Sequence, residues 1–407
     1  MHQFCRGMLA SLLVAVMVAG LCVGCGGDGE GGRVKIVIGE ITDLTGPASP
    51  ATISVHAAIV DLARHFNDQD FIPGVEIEVL PYDDQFNPAR AIPGYEWCRE
   101  RGAEVIVAIF AHAAEMLKPF AGQDKVPIPC SSSTPEAVDP PGWVFATSCG
   151  YGPQVKTVMN WIGEERWDWQ TKGPAKVGFL AWADPAGVSQ EKAVREYCQA
   201  HPEQYTLVNS YLVPVNVMSF PSEVEGLKDC DYITVFAYPM GFFVREYRAK
   251  GYDATFFTDT SAASYRGFFV DMAGWKALDG TVSALVTRWW GEDNPTVKLA
   301  EELLEKYRPS EAKEIIWTGQ AYVGSMASFY PVFDILRETI EAVGVEGFSG
   351  QAYYDTAINY EVQLEGFPRW YYTDTERNLM HDVAIYEWSA AEQNIRRVSD
   401  WLPLVME

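Results

Sequence analysis

Histidine is scarce in this chain, with six in 407 residues. The six are scattered: there is no H-E-x-x-H and no Cys/His cluster, so no metal site is expected. The usual signatures of catalysis are missing as well. No G-x-x-x-x-G-K-[ST] occurs, so the chain does not hydrolyse ATP itself. "GYGPQV" lacks the third glycine of a dinucleotide fingerprint and does not follow the first strand, and "GFSGQ" carries Gln351 where a nucleophile elbow needs glycine. The expectation is a protein without a cofactor and without enzymatic activity. Positive charge is also in short supply, since 31 Lys+Arg stand against 55 Asp+Glu for a net charge of −24. Such a surface offers phosphates no basic patch, which argues against nucleic acid as a partner. No disulfide framework can be read from the cysteines either. Past residue 25 they are Cys98, Cys130, Cys149, Cys198 and Cys230, an odd number at irregular spacings, and buried free thiols are the expected state of most of them.

What is present begins with an apolar run. "MLASLLVAVMVAGLCVG", residues 8–24, follows a weakly basic start (His2, Arg6) and has the make-up of an export signal. Its length also leaves a retained anchor helix open, since a span needs about 20 apolar residues. The run ends in "CVGC", which resembles the lipobox of bacterial lipoproteins, with Cys22 in a place where leucine is usual. That resemblance implies a signal peptide over 1–24 and a lipid-modified Cys25. The C-x-x-C pair itself lacks the second half of a zinc site. "GGDGEGG" has nothing to bury, so 25–33 reads as a flexible spacer. Removing Arg6 with the signal would take the net charge from −24 to about −25.

From Val34 short β-branched runs alternate with amphipathic segments. The strands are "KIVIGEI", "VEIEVLPYDD", "AEVIVAIF", "VPIPC" and "WVFATS", then "AKVGFLAW", "YTLVNSYLV", "DYITVFAY", "ATFFTD" and "GTVSALVT". Helices are expected over 54–67, 88–100, 113–123, 154–164, 189–200, 242–250 and 295–307, with a long one over about 318–343. The tail reads as antiparallel strands with a turn over 390–393. Strands alternating with helices of 10 to 15 residues imply parallel sheets covered on both faces. About 370 residues suffice for two such α/β units. A cleft between them would hold a ligand just beyond the carboxyl ends of the strands, where helix N-termini offer unpaired N–H groups.

Several of these strand ends carry a resemblance. "IGEITDLTGP", "YDDQFNPARA", "VPIPCSSSTPEA", "FATSCGYGPQ" and "REYRAKGYDATFFTD" occur in the order and spacing of the type I periplasmic solute-binding proteins of ABC transporters, in particular the branched-chain amino-acid (Leu/Ile/Val) binding group. The resemblance runs from about residue 34 to 399. It implies two doubly wound parallel-sheet lobes joined by a three-crossover hinge, with crossings near 150–153, 260–264 and 359–365. Lobe one would take 34–151 plus 263–360, and lobe two 152–262 plus 361–407.

The same resemblance implies the ligand contacts. The "CSSST" loop supplies Ser131, Ser132, Ser133 and Thr134 as hydroxyl donors for a ligand carboxylate, with Ser131 and Ser133 at the family's ligand-facing positions; alternatively Thr134 caps the next helix. His112 stands where glycine and serine are common, and is either a solvent-facing helix start or a direct donor. Asp259 falls on the family's loop acid, able to receive an ammonium or to cap a helix. Tyr238 and Tyr151 are placed to cover the ligand or to pack the lobes. Trp182 either replaces a missing aromatic wall or sits in the core, while Ala186 departs from the usual Tyr-Gly pair. The adjacent Asp83 and Asp84 point to opposite faces of a strand, and a cap for the following loop is their expected role. The function implied is an extracytoplasmic, lipid-anchored solute-binding component of an ABC importer, with a permease and its ATPase subunits as partners and a small polar ligand, first of all an amino acid. A ligand-sensing ectodomain of the same fold is the alternative, and amides, urea-like compounds or aromatic acids are alternative ligands.

Overall fold

The computed structural model describes residues 33–406 apart from 216, 237 and 238. The N-terminal run, Cys25 and Tyr238 therefore lie outside the described residues. Five strands form the first sheet: β1 (Val34–Thr42), β2 (Val75–Asp83), β3 (Ala103–Ala108), β4 (Ile128–Cys130) and β5 (Val144–Ala146), in the order β2-β1-β3-β4-β5. Every pair is parallel. Near-continuous apolar sequence in β3 matches its burial on both faces. One face is covered by the helices Ala91–Arg99 and Ala111–Asp124 over Ile41, Ile106 and Leu117. The helices Ser49–Asp68 and Ala321–Val343 pack against each other on the first lobe.

The second sheet contains β6 (Ala175–Trp182), β7 (Tyr205–Val213), β8 (Tyr232–Val235), β9 (Thr255–Thr258) and β10 (Val282–Leu285). The short ribbon β11 (Glu361–Val362) and β12 (Trp370–Tyr371) stands apart, and β13 (Asp382–Ser389) and β14 (Asn394–Pro403) complete the second sheet in the order β14-β13-β10-β9-β8-β6-β7. Its first five strands are parallel and the last two antiparallel, with the expected turn over 390–393 between them. In each sheet the first strand has its successor on one side and the third strand on the other, which is the two-lobed, doubly wound arrangement. Ligands gather beyond the carboxyl ends at such a switch point.

Two crossings lie elsewhere than expected. β10 pairs with β9 and β13, so residues 282–285 belong to the second sheet although the expected boundary at 263 assigns them to lobe one. After the expected third crossing at 359–365 the chain stays beside the first sheet, where the Leu379 N–H donates to the Ala146 carbonyl, and it joins the second sheet only at Asp382. The ribbon of β11 and β12 pairs only with itself and is separate from the antiparallel strands β13 and β14 of the tail. The long helix expected over about 318–343 is present but starts slightly later, at Ala321. Gly319 at φ +129° separates Ala312–Thr318 from Ala321–Val343, and a Cβ there would lie 2.1 Å from the Ala263 carbonyl oxygen.

All five cysteines among the described residues are buried free thiols. Burial pushes the Cys130 and Cys149 thiols up to about 12. No helix among the described residues is long and apolar enough to cross a membrane.

Candidate ligand site between the lobes

A cavity of about 130 Å³ lies where the carboxyl ends of both sheets meet. The first lobe lines it with Ile109 and Phe110 after β3, Ser131 and Ser132 after β4, and Ser148 after β5. The second contributes Thr260, Ser261 and Ser264 after β9. Val286 and Thr287 enter from the end of β10, and the helices Ser49–Asp68, Tyr151–Glu165 and Ala321–Val343 each bring their first turn to the wall through Thr52, Tyr151 and Ala321. Helix starts carry partial positive charge, so their convergence favours a negative group, although the first N–H groups of Ser49–Asp68 are bonded to Gly46 and Ala48 and that of Tyr151 to Ser133. Among the described residues, no Asp, Glu, Lys, Arg or His lines the cavity.

The wall combines apolar surface with hydroxyls, and the hydroxyls divide into two sets. Ser131 donates to the Ile109 carbonyl at 2.6 Å, stitching β4 to β3, and Thr260 donates to the Ala284 carbonyl at 3.1 Å. Thr52 is committed to the Asp43 and Ala48 carbonyls. Among the described residues Ser132 reaches only Ser148, at 3.5 Å. Ser264, Ser325 and Ser328 line the cavity with hydroxyls that hydrogen-bond to no protein group among the described residues. Those are the donors available to a carboxylate.

The residues named from sequence are placed as follows. Ser131, Ser132 and Tyr151 line the cavity. Tyr151 also borders a second space of about 340 Å³ along the first and third crossings, and burial holds its phenol well above the ordinary tyrosine range. Ser133, expected to face the ligand, turns into that second space and donates to Asn378 Oδ1 at 2.5 Å. Thr134 is on neither wall; its hydroxyl goes to Glu115, and it makes no side-chain cap. His112 is a buried helix residue, not a solvent-facing one. Its Nε2 lies 3.3 Å from Asp84 Oδ2, and its ring stacks on Phe110 and meets Phe86 edge-on.

Phe86 in turn packs on Trp182 at 5.3 Å between ring centres, one aromatic from each lobe. Asp83 and Asp84 cap the following loop, accepting from the Gln85 and Phe86 N–H groups. Ala186 sits in the first turn of Pro185–Ala200, whose cap Asp184 accepts from the Gly187 N–H at 2.8 Å. Burial pushes the Asp184 carboxyl up to about 6.

Asp259 does not reach the cavity wall. It is 1% exposed and caps the helix Thr260–Ala263. One oxygen accepts from the Ser261 N–H at 3.0 Å and from the Ser261 hydroxyl at 2.6 Å, and the other accepts from the Gln190 amide at 2.8 Å. Burial pushes its carboxyl up to about 6 in spite of these bonds.

Sequence reasoning missed Ser264, Tyr265, Thr287, Gln320, Ser325 and Ser328. The signal available was small polar residues at helical spacing, Gln320, Gly324 and Ser328, on an otherwise apolar helix. Among the described residues no group of three or more His, Cys, Asp or Glu could hold a metal.

The periplasmic binding protein family model matches residues 35–393. A comparison with curated proteins finds no match. Among solved structures, the fold is similar to a branched-chain amino-acid ABC transporter protein from Thermus thermophilus with bound valine, at TM-score 0.79 and 19% identity, covering 91% of this chain and 97% of that one. A fatty acid ABC transporter substrate-binding protein from Thermomonospora curvata is similar at TM-score 0.76 and 16% identity, covering 91% and 94%. A solute-binding protein from R. palustris in complex with 4-hydroxybenzoate is similar at TM-score 0.73 and 18% identity, covering 91% and 97%. At such identities the likeness is one of fold.

Proposed function

The chain belongs to the periplasmic binding protein family, and we propose that it is the solute receptor of an ABC importer, capturing a small carboxylate-bearing solute between its lobes and delivering it to a permease. ATP hydrolysis belongs to other subunits. The observation that carries this reading is the uncharged cavity of about 130 Å³ at the strand ends, walled by both lobes, with hydroxyls and three helix starts around an apolar interior. Neutral donors and helix starts hold an anion without a full buried countercharge, which suits a ligand that must later be released.

The ligand docks on the first lobe at Ser132, Ser325 and Ser328, beside the committed Ser131. Closure then brings Tyr151, Thr260 and Ser261 over it, with Tyr238 assigned to the same covering role. Binding shifts the open and closed populations by its difference in affinity for the two states. In this reading lobe one spans 34–148 plus 286–380, and lobe two 149–285 plus 381–406.

An amino acid is the first candidate, its ammonium turned towards Asp259. Acids without an amine, aromatic acids among them, are a second reading. It is favoured by the state of Asp259, whose oxygens already serve Ser261 and Gln190 and which is absent from the wall.

The family works outside the cytoplasm. For this member we assign Cys25 as the lipidated first residue, with 26–33 as the tether that lets the lobes reach the permease. A thermal-shift and calorimetric screen against amino acids, amides and organic acids tests the proposal. It predicts saturable binding of at least one carboxylate, and binding confined to neutral amides would refute it.

A further inference from the structure

Gln320 caps the helix Ala321–Val343 at the wall of the cavity and is 1% exposed. Its backbone is pinned on both sides: the N–H donates to the Ala263 carbonyl at 3.0 Å, and its carbonyl accepts from the Gly324 N–H at 2.8 Å. The side-chain amide is oriented by Thr287. Nε2 lies 2.7 Å from Thr287 Oγ1 and 3.4 Å from the Thr287 backbone carbonyl. A hydroxyl could face either end of an amide, but a carbonyl oxygen needs a donor, so it is the NH₂ that faces Thr287. Oε1 then faces away, buried and with no hydrogen-bond partner among the described residues.

The neighbourhood holds the side chain in this position. A Cβ on Gly324, one turn along the same face, would lie 3.0 Å from Gln320 Cγ and 3.1 Å from Thr287 Oγ1. Glycine there leaves the amide its place. A buried acceptor with no donor is costly, and the cost is removed when a ligand brings the donor. Pockets built around such a group reject analogues that lack its partner far more strongly than apolar pockets reject a missing methyl.

We propose that Gln320 is the specificity-determining residue of the site: its Oε1 accepts a hydrogen bond from a hydroxyl or amine on the ligand, so the protein selects acids that carry a second, donor-bearing group and discriminates against the same skeleton without it. This rests on the reading of the cavity as the site of a carboxylate-bearing solute, and it narrows that class to amino acids and hydroxy acids.

The test is calorimetric titration of the full chain with two matched pairs, valine against 3-methylbutanoate and 4-hydroxybenzoate against benzoate. In at least one pair the donor-bearing member should bind about tenfold or more tightly than its partner. Gln320→Met, similar in length and without a strong acceptor, should bring that ratio to within about twofold. Should the Met variant fail to fold, Gln320→Ala makes room where Met fills it and serves the same comparison. Equal binding of both members by the wild type overturns the inference and leaves the solute-receptor reading standing. So does a preference that survives in a folded Gln320 variant. Binding of no member of either pair overturns the carboxylate reading itself, and the inference with it.

Discussion

Replacing Asp259 by Asn tests whether this acid serves the ligand or only the fold. The carboxyl is fully buried and titrates at about 6 instead of 3.8. Between pH 4 and 6 the folded chain therefore keeps a proton that the unfolded chain has lost. Stability falls as pH rises through that window and is level above it. At 1.36 kcal/mol per pH unit the fall is about 3 kcal/mol. Asn keeps the oxygen that accepts from Ser261, and Gln190 can turn its own carbonyl towards the new amide, so the bonds at this position survive. It removes the titration. Urea unfolding at pH 4 and pH 7.5 should show the variant gaining about 2 kcal/mol on the wild type between the two values, most of that fall. Asp184, which also titrates at about 6, is present in both proteins and cancels. A variant-to-wild-type difference that does not change with pH would refute the assignment of a raised carboxyl to Asp259. The same residue separates the two ligand readings. If an ammonium rests on Asp259, binding favours the ionised acid, and valine affinity should rise up to about tenfold per unit from pH 5 to 6 and level off above. A flat profile for valine would remove Asp259 from the ligand site.

Other outcomes follow from the same geometry. Cys25→Ala should release the protein from the membrane fraction or block its processing; unchanged fractionation and processing would assign the anchor to the apolar run over 8–24. Ser325→Ala together with Ser328→Ala removes two uncommitted hydroxyls and should weaken a bound carboxylate by about 10-fold to 100-fold in calorimetry, whereas unchanged affinity would place the carboxylate elsewhere on the wall. Asp61, fully buried, takes bonds from Arg308 at 2.6 and 3.2 Å and from Tyr322 at 3.0 Å. Asp61→Ala should cost about 3 kcal/mol by denaturant unfolding, with part of the loss recovered on adding Arg308→Leu. No recovery in the double variant would show that the stranded arginine is not the source of the loss.

The strands of both sheets and most of their helices were legible because each is an apolar run or a 3.6-residue stripe with turn residues at its ends. The crossings were harder to place. β10 is a four-residue run between two stretches of helix, and nothing in its side chains says which sheet it joins; that is settled by backbone pairing with β9 and β13. The long helix was read with its start slightly too early for a related reason. A glycine such as Gly319 is tolerated in a helical pattern, and only the approach of the Ala263 carbonyl makes it obligatory.

At the site, Ser131 and Ser132 follow β4, where ligands gather beyond parallel strands, and the family resemblance pointed to them and to Tyr151 past the first crossing. It did not separate hydroxyls that face the cavity from those consumed by the fold. Ser131, Ser132, Ser133 and Thr134 are consecutive, yet one ties two strands together, one nearly faces free space, one bonds Asn378 from the third crossing and one bonds Glu115. Each of those partners lies 15 or more residues away in sequence, so no local pattern distinguishes the four. The opposite error hid Gln320 and Ser328. Buried polar residues on an apolar helix read as interruptions of the core until the fold places a cavity against them. Polar groups left uncommitted inside a well-bonded fold, such as Gln320 Oε1 and the hydroxyls of Ser325 and Ser328, are therefore a better guide to the ligand than the serine-rich loop that stands out in the sequence.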